Sequence, residues 1–153
     1  DQIDKGPVVT QKELEIEEFD NNETLRKRLA SLALKTLLEF LPEIESGNLK
    51  PIIQDEKLAT KTRKFSKEDG EIDWQKSPEE LDRQIRAFHP WPGSYTFIDN
   101  KRLIIHSAFL DEGKLYLDIV QPEGKKPMEF GNFIRGYRGP LPEWFSKIGN
   151  IEK

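Results

Sequence analysis

The side chains able to do chemistry are few and scattered. With no cysteine among the 153 residues, thiolate nucleophiles, disulfides and thiolate zinc sites are excluded. The two histidines, His89 and His106, stand far apart in sequence with no acidic cluster at ligand spacing, so no metal site is expected. Beside Pro90, His89 reads as a helix C-terminal cap favoured by the helix dipole. His106 alternates with Ile105 and is expected at a surface or edge. Asp4, in Asp4-Lys5-Gly6-Pro7, reads by itself as a turn-forming aspartate. What does cluster is positive charge. Lys57, Lys61, Arg63, Lys64 and Lys67 lie within one short stretch, and Lys101-Arg102 and Lys125-Lys126 add two pairs. Such cations either contact phosphates or keep a surface soluble. Tyr95, Phe97 and Tyr116 could serve as stacking platforms beside them, or strand alternation could place them in a core.

Composition sets the frame for these groups. The chain has length for one ordinary domain or two small ones. It is polar, with 35% hydrophobic and 34% charged residues, yet nine Phe, three Tyr and three Trp argue for a packed core. Net charge is −4, so the chain as a whole is not a basic nucleic-acid binder. The acids concentrate before residue 24, leaving a mildly basic body that suits an anionic partner without requiring one. No apolar run approaches the roughly 20 residues of a membrane span, and no signal-peptide pattern opens the chain. A cytoplasmic setting is the expectation. Without an initiator methionine, the sequence is expected to be a fragment, a split gene product or a trimmed piece.

The elements that must position these residues follow from periodicity. Residues 8–9 and 13–19 predict a short strand and a second strand or extended arm. The spacing of Leu25, Leu29, Leu32, Leu37, Phe40 and Ile44 predicts a long helix over 22–46, started at Asn22, kinked or ended by Pro42, and stopped at Gly47. A second helix over about 77–88 has Ser77 and Glu80 as a capping box and Pro78 at its first position. Leu81, Ile85 and Phe88 are its buried stripe, and Asp82–Arg86 is an i,i+4 pair. Pro90 and Pro92 forbid continuation, and Trp91 between them is expected to be a structural plug. After Gly93 the period becomes two. Hairpins are predicted over 94–106, turning at Asp99-Asn100-Lys101, and over 107–120, turning at Asp111-Glu112-Gly113, with Leu115, Leu117 and Ile119 on one face. A turn at 124–127 leads to a short helix over 128–134. Residues 140–153 give no clear pattern.

Four ordered blocks carry a family resemblance. They are Lys64-Phe65-Ser66-Lys67-Glu68-Asp69-Gly70 with Ile72-Asp73-Trp74; Ser77 through Arg86-Ala87-Phe88; Pro90-Trp91-Pro92-Gly93; and Gln121 through Met128 followed by Arg135-Gly136-Tyr137-Arg138. Together they resemble the C-terminal part of the methionyl-tRNA formyltransferase family. Asp4-Lys5-Gly6 resembles that family's Asp-x-Gly segment, late in its catalytic domain.

The resemblance implies an α+β chain. Residues 1–50 would be the terminal strand–helix remnant of a Rossmann-like formyltransferase domain, 51–70 a basic linker, 71–139 an OB-like β-barrel domain with a preceding helix, and 140–153 a tail. The family formylates the α-amino group of initiator methionyl-tRNA with 10-formyltetrahydrofolate in translation initiation, using an asparagine, a histidine and an aspartate. Asp4 would match that aspartate. The Asn-x-His pair and the folate-binding loop lie upstream in the family and are absent here. The chain alone is therefore expected to be inactive and to bind no folate, and the missing N-terminal half is a possible partner. Lys61, Arg63, Lys64, Lys67, Lys101, Arg102, Lys125 and Lys126 are the candidate tRNA contacts. Trp74, Ser77, Glu80, Arg86, Pro90, Trp91, Pro92 and Gly93 are the candidate structural residues. The barrel is expected to be short, because only one hairpin fits between Ser107 and Gln121. Two other readings stay open: the C-terminal part of a sugar-nucleotide formyltransferase, and a stand-alone non-catalytic nucleic-acid-binding module.

Overall fold

A computed structural model describes residues 3–149. The chain divides into two compact units, one of Asp1–Asp20 with Thr24–Lys64 and the other of Asn21–Glu23 with Phe65–Lys153.

The first unit is built on helix α1, Asn22–Ser46. Just before it, the Asp20 carboxylate accepts hydrogen bonds from the Glu17 backbone N–H at 2.9 Å and the Thr24 hydroxyl at 3.0 Å, and pairs with the Arg28 guanidinium. The Glu17 N–H, with Thr24 and Arg28, holds this carboxyl below the ordinary aspartate range despite its burial. Pro42 does not end the helix, which runs four residues further. It removes one backbone bond close to a terminus where few bonds remain to lose. Gly47, at φ +71°, then stops it by returning its N–H to the Ile44 carbonyl at 3.2 Å. The strands predicted near the N-terminus reduce to a single antiparallel bridge between Val8 and Ile52. Residues 13–17 form no strand among the described residues. No residue of α1 is buried, and Leu29, Leu37 and Ile44 are exposed along its apolar stripe.

The second unit holds the core. It opens with a 3-10 turn, Glu68–Gly70, after which Ile72 donates its N–H to the Tyr95 carbonyl at 2.8 Å. Helix α2, Pro78–Phe88, starts with the capping box that Ser77 and Glu80 predict, both halves formed, and buries Leu81 and Ile85. Asp82, also buried, accepts from Arg86 at 2.9 Å. His89 caps its C-terminus, and the chain turns through cis Pro90 and cis Pro92.

Six strands follow: β1 Ser94–Ile98, β2 Lys101–Ile105, β3 Ala108–Asp111, β4 Lys114–Leu117, β5 Ile119–Pro122 and β6 Met128–Glu129. They make a four-stranded sheet in the order β1-β2-β5-β6 and a two-stranded sheet β3-β4, with every pairing antiparallel. No closed barrel is seen among the described residues. Both hairpins turn through two residues of positive φ, Asp99-Asn100 and Glu112-Gly113, whose twist matches that of the flanking strands. The predicted strand over 114–120 is two strands. It breaks at Asp118, which accepts the Ser107 hydroxyl at 2.8 Å and gives its carbonyl to Phe130 N–H at 2.7 Å. The break shifts the alternation, so Leu115, Leu117 and Val120 are buried and Ile119 only half-buried. Helix α3, Phe130–Gly136, buries Phe130.

The core joins Ile72, Leu81, Ile85, Leu103, Ile105, Leu115, Leu117 and Val120 with Phe130, Trp144 and Ile148. Residues beyond 139 therefore contribute to the packing. Trp144 stacks on Trp74, ring centroids 4.8 Å apart, and donates to the Phe97 carbonyl at 3.3 Å. Trp74 donates to the Thr96 hydroxyl at 2.9 Å. This pair, with both indole N–H groups satisfied, takes the structural place expected of Trp91, which is 55% exposed.

Candidate nucleic-acid interface

Inter-strand register sorts the four-stranded sheet into two faces. Ile98, Leu103, Ile105 and Val120 point to the core. On the other face Tyr95 lies opposite Ile104, Phe97 opposite Arg102, and Ile104 opposite Gln121. Residues paired across a sheet share a face, so these five side chains form one surface. Alternation alone left both roles open for the aromatics, and the two strand-β1 rings divide them. Tyr95 is buried, with Phe97 edge-on to it at 5.6 Å, while Phe97 is the one exposed residue of its strand. Tyr116 stacks on Phe109 on the separate β3-β4 sheet.

The Arg102 guanidinium lies 4.3 Å from the centre of the Tyr95 ring, a cation–π contact that fixes the side chain. Burial pushes the Tyr95 phenol up, with Glu71 adding to the shift and Arg102 opposing it. Arg102 is also joined through its backbone to the β5–β6 turn. Its N–H meets the Glu123 carboxylate at 3.1 Å, and its carbonyl takes the Glu123 N–H at 3.0 Å. The turn carries Lys125 and Lys126, both exposed. Gln121 secures it by donating its amide nitrogen to the Lys125 carbonyl at 2.9 Å. The Gln121 oxygen then faces His106 Nε2 at 2.9 Å, so that ring nitrogen carries the proton. Between Phe97, Arg102, Ile104, Gln121 and Glu123 lies a groove of about 410 Å³.

Sequence pattern did not single out Gln121 or Glu123, because the partners His106 and Arg102 lie fifteen and twenty-one residues away and meet them through the β2–β5 pairing. The fold thus brings Lys101, Arg102, Lys125 and Lys126 to two adjoining segments of one sheet. Lys67 immediately precedes the Glu68–Gly70 turn of the same unit. Lys61, Arg63 and Lys64 are exposed in the first unit, where Arg63 donates to the Lys64 carbonyl at 3.2 Å. Asp4 is exposed in a turn at φ +61°, and its carbonyl accepts from Gln54 at 3.0 Å. No group of three or more His, Cys, Asp or Glu suited to a metal is found among the described residues. The two histidine rings, distant in sequence, lie 6.2 Å apart.

Of the residues grouped as structural, Pro90 and Trp91 are exposed, and the close approach in this region falls at Gly93. A Cβ on Gly70 would lie 2.0 Å from the Gly93 carbonyl oxygen, so the turn and the Pro-Trp-Pro-Gly segment can meet only through a glycine. Gly93 itself sits at φ +81° and donates its N–H to the Phe88 carbonyl at 2.9 Å.

Residues 64–115 match the family described as Formyl transferase, C-terminal domain. Over nearly its whole length the chain is similar to the C-terminal part of methionyl-tRNA formyltransferases. It is 38% identical to that of Dictyoglomus turgidum over 170 residues, covering 94% of this chain and 54% of the relative. It is 33% identical to that of Myxococcus xanthus, covering 89% and 51%. The fold matches a methionyl-tRNA formyltransferase from Clostridium thermocellum with a TM-score of 0.59 at 22% identity, covering 79% of this chain and 51% of that one. The chain spans about half the length of the curated relatives it matches.

Proposed function

We propose that this chain is the tRNA-supporting, C-terminal part of a methionyl-tRNA formyltransferase, an enzyme that formylates initiator methionyl-tRNA with 10-formyltetrahydrofolate in the cytoplasm. The observation that carries the reading is the similarity to enzymes of that name across 94% of the chain, with the matched domain over residues 64–115. In this reading the sheets of the second unit belong to an OB-like domain whose basic edge, with Lys101, Arg102, Lys125 and Lys126, meets tRNA phosphates. Lys61, Arg63, Lys64 and Lys67 form a second strip. Asp4 takes the role of the catalytic aspartate, acting only with an asparagine and a histidine supplied upstream. A lone exposed carboxylate on a turn cannot enclose a folate, so the cofactor belongs to the rest of the enzyme. No described helix is long and apolar enough to cross a membrane.

The test is initiator-tRNA affinity measured against salt. Phosphate contacts release counterions, so log affinity should fall linearly with log salt, and charge reversal of Lys64 and Lys125 should make that fall shallower. A slope indistinguishable from zero would overturn the reading.

A further inference from the structure

We propose that the outer face of the four-stranded sheet seats an unpaired nucleobase, stacked on Phe97, with Arg102 and the Lys125-Lys126 turn on the adjoining phosphates. The proposal rests on the reading of the chain as tRNA-supporting and specifies which surface and which part of an RNA are involved.

Three observations converge on this face. First, Phe97 is 43% exposed in a strand whose other four residues are buried. An outward-facing ring there gains nothing for the core, and its edge-on contact with Tyr95 already restrains it. Little side-chain freedom is then lost when a base stacks on it. Second, the charge at the rim is complementary to a phosphodiester. Arg102, Lys125 and Lys126 face one acid of the same segments, Glu123, and the nearby Asp99 is engaged by the Tyr137 hydroxyl at 2.6 Å. Third, the cationic turn is held in place. The chain of hydrogen bonds from His106 through Gln121 to the Lys125 carbonyl ties it to the sheet that carries Phe97.

The groove is lined by the exposed Phe97 ring, and a ring face accepts a splayed-out base rather than a duplex. Paired bases are already stacked on one another and offer a protein only their edges. The Glu123 carboxylate and the Gln121 side chain stand at the groove wall, where the edge of such a base would lie.

The test uses the full chain with two probes, a fluorescein-labelled oligouridylate and a blunt RNA duplex of the same length, titrated by anisotropy. Phe97→Ala should weaken oligouridylate binding about tenfold or more while leaving the salt slope unchanged, because stacking is not ionic. Phe97→Trp should retain the affinity. The Lys125→Glu/Lys126→Glu double variant should instead flatten the slope. The Phe97 substitutions leave the carbonyl that Trp144 bonds, and matching near-ultraviolet circular dichroism would establish that the fold is intact. If the chain binds initiator tRNA but Phe97→Ala changes no RNA affinity, the stacking proposal falls and the functional reading stands. If Phe97→Ala changes only the sedimentation of the chain, the face is a self-association surface and the proposal is overturned. If neither RNA probe nor tRNA binds, both fall.

Discussion

Among single residues, Tyr137 and Gly70 make the sharpest predictions. The Tyr137 hydroxyl donates to Asp99 at 2.6 Å and lies 3.1 Å from the Pro140 carbonyl, linking the end of α3 to the β1–β2 turn. Burial, then the Asp99 hydrogen bond and charge, push this phenol up to about 12. Its folded-state value is raised, so the stabilisation from the neutral phenol is fully present below the ordinary tyrosine value and is lost as pH rises through about 12. Absorbance at the tyrosinate band should show a component titrating near there, and Asp99→Asn should move it partway down. An unmoved component would show that Asp99 is not its cause. For Gly70→Ala, the added methyl meets a backbone carbonyl, which cannot step aside as a side-chain tip can. A loss of about 1–3 kcal/mol in urea unfolding is expected, the range for overpacking, with no matching loss for Gly6→Ala, whose Cβ would meet nothing.

The elements show what the sequence made legible and what it did not. The α2 start was readable because a capping box is local: Ser77 and Glu80 satisfy each other's backbone within one turn, at 3.0 and 3.2 Å. Ser77→Ala should cost about 1 kcal/mol of stability, measured by denaturant midpoint, and Ser77→Asp much less, since aspartate also caps. Turn residues were legible for the same reason, as Asn100 and Gly113 show with their positive φ. The break at Asp118 was not. Leu115, Leu117 and Ile119 continue a period-two pattern through it, and only a distant pairing, β5 with β2, decides that the chain changes sheets there. Trp144 was missed likewise, because nothing local marks a tryptophan whose partner, Trp74, lies seventy residues away. The basic pairs of the candidate interface were visible as charge, whereas their grouping around Phe97 depends on the same β2–β5 register.

At the scale of the whole chain, the two units differ in what holds them. Every buried hydrophobic residue among those described lies between Ile72 and Ile148, in the second unit. The first unit buries Asp20 and no hydrophobic residue of its 25-residue helix, whose stripe alternates half-buried Leu25, Leu32 and Phe40 with exposed Leu29, Leu37 and Ile44. Hydrophobic burial supplies most of the free energy of a cooperative transition, and a helix with no fully buried side chain draws less on it and more on its own marginal propensity. The units should therefore unfold at different points. The chain offers separate probes for this, since Trp74, Trp91 and Trp144 all report the second unit while α1 supplies most of the helical ellipticity. On heating, ellipticity at 222 nm should decline before the tryptophan fluorescence transition begins. Leu103→Ala, at a fully buried position, should lower the fluorescence transition by about 2–5 kcal/mol and leave the early ellipticity change where it was. Coincident curves from the two probes would mean instead that the chain unfolds as one cooperative body, with α1 drawing its stability from the same core.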